Sequence, residues 1–177
     1  MTLLLFAYIQ SLILFNLGFN QSTEMIFWRE DLKLSWSDFK GKPQSESPYE
    51  AMTASGIEYA YQVNNRNGEL TFTFKVRAYF NPTTSWVKPS SRTDELLAHE
   101  QVHFDISELH ARILTKKLEN TGFTENYKEE IDSIYQSVIS KRSKMQELYD
   151  KETDHSRHLD IQNKWILQVE SQLDNLD

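Results

Sequence analysis

The chain has 177 residues, 39% of them hydrophobic and 12% aromatic, enough for one domain with a substantial core. Five glycines and four prolines exclude a low-complexity or collagen-like organisation, and no internal repeat is present. A net charge of −7 leaves no basic stripe for nucleic acid, and the absence of cysteine excludes disulfides and thiol-linked lipid.

Residues 1–20 carry no charge and contain two apolar runs, Leu3-Leu4-Leu5-Phe6 and Leu12-Ile13-Leu14-Phe15, interrupted by Gln10, Ser11 and Asn16. This segment reads as a signal peptide, although it lacks a basic start and a clear small-x-small cleavage site; Gly18 would sit at −3 if cleavage follows Asn20. The alternatives are an uncleaved N-terminal membrane anchor and a buried apolar helix. The leading expectation is an exported protein, periplasmic or secreted, whose single mature domain spans residues 21–177. Residues 21–90 form its β-rich part and residues 91–177 its helical part.

Leu32, Leu34 and Trp36 alternate and suggest a first strand. Ile57, Tyr59, Tyr61 and Val63 alternate next, and after Asn67-Gly68 so do Leu70, Phe72, Phe74, Val76, Ala78 and Phe80. Two alternating runs about an Asn-Gly pair predict a β-hairpin with one buried face.

A helix start is marked by Ser91 and Asp94 at capping-box spacing just after Pro89, which places the first turn near Arg92 or Thr93. Leu96, His99, His103, Ile106, His110 and Ile113 follow at three- and four-residue steps, so the histidines share the inward stripe. Gly122 is the expected stop. Within this helix lies His99-Glu100-Gln101-Val102-His103, an H-E-x-x-H pentapeptide. Four residues advance about 400°, so two imidazoles one turn apart can reach one divalent ion, while Glu100 is turned about 100° away and can meet a water beside it. That arrangement suits Zn²⁺ with Glu100 as general base.

His110 lies roughly 10 Å further along the axis and Glu108 about 140° round it, so neither completes the site. His110 is expected to pack. The third ligand must come from another segment, and the one dense cluster of ligand-type residues is 149–158, at the junction of two further helical patterns. Upstream run Tyr127, Ile131, Ile134, Val138, Met145 and Leu148; downstream run Leu159, Gln162, Trp165, Ile166, Val169 and Leu173. Asp150, Asp154, His155 and His158 all qualify chemically, and a polar helix connection is the plain alternative. Lys116-Lys117 and Lys141-Arg142-x-Lys144 read as solvated helix faces. Strands followed by three helices give an α+β domain, a small antiparallel sheet packed on the long H-E-x-x-H helix with two helices after it.

Trp36-Ser37-Asp38-Phe39-Lys40-Gly41, Ser85-Trp86-Val87, Leu97 through Asp105 around the pentapeptide, and Tyr149-Asp150-x-Glu152-Thr153-Asp154-His155 occur in that order. Together they resemble the bacterial DUF922 family of predicted secreted zinc-dependent proteases, a zincin-type group, over about residues 28–173. The resemblance implies zinc on His99 and His103, Glu100 as base, and His155 as the matching third ligand. The family pattern has glycine after that histidine where this chain has Ser156, which bears on the local turn. In zincins an edge strand pairs with an extended substrate, so the resemblance offers residues 70–80, or their continuation through Ser85-Trp86-Val87, for that role; the alternative is that these aromatics are plain core.

The functional expectation is an exported zinc metallopeptidase with Zn²⁺ on His99, His103 and His155, acting on a peptide or protein substrate, for which the cell envelope is one source. Glu100 would be the base, and Tyr149 a candidate hydrogen-bond donor to the developing oxyanion. The competing expectation is an exported zinc-binding domain with a structural or partner-binding role and no turnover, favoured if Asp150 or Asp154 closes the coordination shell.

Overall fold

A computed structural model describes residues 25–176, so the expected signal peptide lies outside the described residues. Its strands are β1 (Ile26–Phe27), β2 (Ala51–Met52), β3 (Ser55–Arg66), β4 (Glu69–Phe80) and β5 (Trp86–Val87); its helices are α1 (Asp94–Glu119), α2 (Tyr127–Thr153) and α3 (Leu159–Asp174). The architecture is α+β, as the order of patterns requires. Among the described residues no helix is long and apolar enough to cross a membrane.

The hairpin forms as the alternation predicts. Antiparallel β3 and β4 pair from Ser55↔Phe80 to Arg66↔Glu69, joined by Asn67 and Gly68 with φ of 53° and 89°. Both torsions are left-handed, the conformation that Asn-Gly tolerates and that matches the strand twist. The face carrying Tyr59, Tyr61, Phe72, Phe74 and Val76 packs toward the helices, with Tyr59 on Tyr135, Tyr61 on Tyr127 and Phe72 on Phe123. β1 adds to β4 through Ile26↔Phe80 and Phe27↔Tyr79, giving the order β1-β4-β3.

The expected strand at Leu32, Leu34 and Trp36 does not form. Trp36–Asp38 is a 3₁₀ turn, and the Leu34 amide donates to Gln101 Oε1 on α1 at 2.8 Å instead of to a neighbouring strand. The alternation is real as a burial pattern, since Leu34 is core and Leu32 and Trp36 pack on it, but a loop achieves it. Gly41 ends this segment against the next: its amide donates to the Ser85 carbonyl at 2.8 Å, and an added Cβ would lie 2.7 Å from that same oxygen. Only a residue without a side chain allows so close a backbone approach. The neighbouring β5 is buried core and pairs with β2 through Ala51↔Val87 and Met52↔Trp86. Of the offered substrate strand, Tyr79 and Phe80 lie between β1 and β3, and Trp86 and Val87 pair with β2; β2 is the strand that borders the site described below.

α1 is the spine. Every residue from 99 to 107 is buried, because β4 and β3 cover one side while α2 and α3 cover others. Phe104 and Leu114 enter the core shared with Phe80, Ile131 and Val138; Val102, Ile106 and Leu109 enter a second core with Tyr149, Trp165 and Val169. Each large apolar side chain so enclosed contributes roughly 1.5–3 kcal/mol relative to exposure. The helix is capped by Thr93, whose side chain accepts from the Leu96 amide at 3.2 Å, and not by Ser91. Ser91 closes a separate 3₁₀ turn and donates to Glu50. The helix ends at Glu119 because Asn120 and Thr121 side chains take the Lys116 and Lys117 carbonyls, just before Gly122.

Candidate metal centre

His99 and His103 stand one turn apart on α1, with ring centroids 4.9 Å apart. Their Nε2 atoms face one oxygen of Asp150, at 3.1 Å from His99 and 3.0 Å from His103. Asp150 arrives from the last turns of α2. The ligand atoms of His99, His103 and Asp150 lie within 4.8 Å of one another, and this group can hold a metal ion. Two neutral imidazoles and one carboxylate form a donor set suited to a borderline divalent cation.

The electrostatics follow from burial. Removal from water lowers the His99 pKa, against the pull of Asp150. Burial opposes protonation of His103 too, but the Asp150 hydrogen bond and the Glu100 carboxylate outweigh it and the pKa rises. Burial alone would raise the Asp150 carboxyl, yet the His103 and His99 contacts hold it well below the usual carboxylate range. Asp150 is therefore a carboxylate over the whole physiological range and offers an anionic ligand.

His155 stands beside the three. The αL turn of Asp154, His155 and Ser156, with φ of 47°, 53° and 73°, folds the chain back after α2, and His155 Nδ1 reaches 3.5 Å from the same Asp150 oxygen. Its ring rests on Tyr49 at 4.7 Å, and it remains partly exposed. Asp154 instead pairs with Arg157, and His158 turns to the Glu152 carbonyl. His110 packs with Nδ1 on the Ile106 carbonyl, and Glu108 pairs with Arg112, both away from the group.

Glu100 is 3% exposed, and its Oε2 has no hydrogen-bond partner among the described residues. It lines a cavity of about 260 Å³ with His99, His103, Asp150, His155 and the β2 segment. An unsatisfied buried carboxylate oxygen is costly, so its place at a cavity wall marks it for a group that enters the cavity. Tyr149 is fully buried and is not part of that wall. Its ring stacks on His99 at 4.5 Å, meets His103 edge-on at 5.3 Å and abuts Trp165, so it fixes the two imidazoles from behind. Its hydroxyl also lacks a partner among the described residues, and burial raises its pKa strongly.

The family model for DUF922, a bacterial protein of unknown function, matches residues 31–156, most of the chain. The chain belongs to the DUF922 family. No curated protein and no solved structure gives a significant match. The stretch matched to DUF922 opens beside the Leu34–Gln101 contact and closes at Ser156, so it takes in β2, the pentapeptide and Asp150 together. Other residues of the Tyr149–His155 element are explained by packing: Glu152 accepts from Trp165 Nε1 at 2.8 Å, and Thr153 donates to the Tyr149 carbonyl at 2.7 Å.

Sequence reasoning named Asp150 as a candidate but gave it no priority. A signal was there: Arg142, Gln146 and Asp150 recur every four residues, so one face of α2 presents all three to α1. β2 left no signal, because two residues are too short for periodicity.

Proposed function

We propose that this DUF922 chain is an exported zinc metallopeptidase. The observation that carries the reading is Glu100, a buried glutamate with an unpartnered oxygen in the wall of the cavity that His99, His103 and Asp150 also line. When bound, a divalent ion at these three residues polarises a carbonyl and acidifies a nearby water. Glu100 then accepts the proton of the attacking water and returns it to the leaving amine. Tyr149 keeps the imidazoles in place by its ring. β2 has β5 as its strand partner on one side, and residues 49–53 border the cavity, which supports an extended peptide as the substrate lying along them. Export rests on the charge-free apolar residues 1–20.

The test is Glu100→Gln, which keeps shape and removes the proton acceptor. Zinc should stay bound while cleavage of a mixed peptide library, read as new termini by mass spectrometry, falls by about 10²–10⁴-fold. Equal cleavage by both forms excludes Glu100 as the base.

One observation favours a second reading. His155 Nδ1 is 3.5 Å from the shared Asp150 oxygen, and its joining the group as a fourth protein ligand would make a closed, structural zinc site. Zinc-loaded wild type that cleaves nothing across broad libraries would shift the preference to that reading.

A further inference from the structure

Arg142 was expected on a solvated helix face and is instead half-buried between three elements. Its Nε donates to Ser107 Oγ on α1 at 2.9 Å, and its Nη2 donates to the Ser55 carbonyl on β3 and approaches Ser55 Oγ at 3.3 Å. Burial lowers its pKa, and none of these partners is a carboxylate. A guanidinium removed from water without a counter-charge is costly, and the fork geometry of its bonds is what it provides in return.

These bonds converge on the metal-site helix. Ser107 Oγ donates to the His103 carbonyl at 3.1 Å and lies 2.8 Å from Ser55 Oγ, while Gln146 Nε2 donates to the same carbonyl at 3.2 Å. Arg142 and Gln146 precede Asp150 by two turns and one turn on the same face of α2. The contact therefore sets the depth and rotation of α2 against the turn of α1 that carries His103.

Resting on the metal-site reading above, we infer that Arg142 is a positioning residue: through Ser107 and Ser55 it fixes the register of α2 on α1 that brings the Asp150 carboxylate to His99 and His103. Its side chain is not among those lining the cavity. Lysine keeps the charge but cannot hold Ser107 and Ser55 with one planar group.

The experiment titrates Co²⁺ alone into the full chain and into Arg142→Gln, Arg142→Lys and Ser107→Ala, with folding checked by circular dichroism. Ser107→Ala keeps every charge and favours helix, so it remains informative even if Arg142 cannot be replaced. Folded variants should bind Co²⁺ about 10–100-fold more weakly, the usual effect of losing a support behind a ligand, with altered visible absorption bands. Wild-type affinity and an unchanged spectrum in the folded variants would overturn the assignment, leaving Arg142 a purely structural group. A wild type that binds no ion refutes the metal-site reading, and this assignment with it.

Discussion

Asp150 Oδ1 lies 3.0 Å from His103 Nε2, across 47 positions of sequence, and the same oxygen faces His99 at 3.1 Å. One carboxylate atom thus occupies the point where both imidazoles aim, while His155 approaches it from the open side at 3.5 Å. Purified protein should carry about one divalent ion per chain, and His99→Ala or His103→Ala should abolish it. Asp150→Ala should weaken binding more than His155→Ala, and His110→Ala should leave it unchanged. Metal content by mass spectrometry of the native protein checks the order; a larger loss with His155→Ala than with Asp150→Ala would restore His155 as the third ligand.

Ser156 holds φ of 73°, the third left-handed residue in succession. A side chain in that conformation costs roughly 1–2 kcal/mol, which glycine relieves, less its own greater entropy loss on folding. Ser156→Gly should therefore raise stability by up to about 1 kcal/mol, a Tm increase of roughly 2–4 °C. A lower Tm would show that the serine makes a compensating contact.

Asp105 accepts from Trp28 Nε1 at 2.7 Å and from Gln101 Nε2 at 2.8 Å, both on one oxygen. Burial raises its pKa, and the two hydrogen bonds only partly oppose this. The folded chain then keeps the proton to higher pH than the unfolded chain, so this group's contribution to stability declines as pH rises from about 3.9 through the raised folded value. Asp105→Asn retains the accepting oxygen without the charge. Its Tm relative to wild type should rise between pH 4 and pH 7; a constant difference across that window would contradict the shift.

Gly41→Ala would drive a methyl to within 2.7 Å of the Ser85 carbonyl. Because backbone atoms form the obstacle, the cost should be about 1–3 kcal/mol in urea unfolding. An effect under half of that would mean that the loop moves aside easily.

How much of this was legible depended on whether side chains or backbone carried the pattern. The spacing of Leu96, His99, His103 and Ile106 gave α1 because burial on one helix face is written in side-chain periodicity. Alternation about Asn67-Gly68 gave the hairpin for the same reason. Leu34 misled because its period of two reflects a loop whose amide is taken by Gln101 rather than by a strand. Arg142 misled because its neighbours Lys141 and Lys144 are exposed while its own head group reaches inward, a difference only the tertiary fold decides. Asp150 was hidden among acidic residues that suit any helix surface, and its meaning depends on the angle at which α2 crosses α1.

The hairpin and the first half of α1 draw on nearby sequence, but the trio does not exist until α2 has docked. The nascent chain must be complete to about residue 150 before any ion meets all three groups. Coordination competence is therefore a late event in the life of the molecule, and an internal cut between α1 and α2 that lets them separate would erase it while leaving both imidazoles intact.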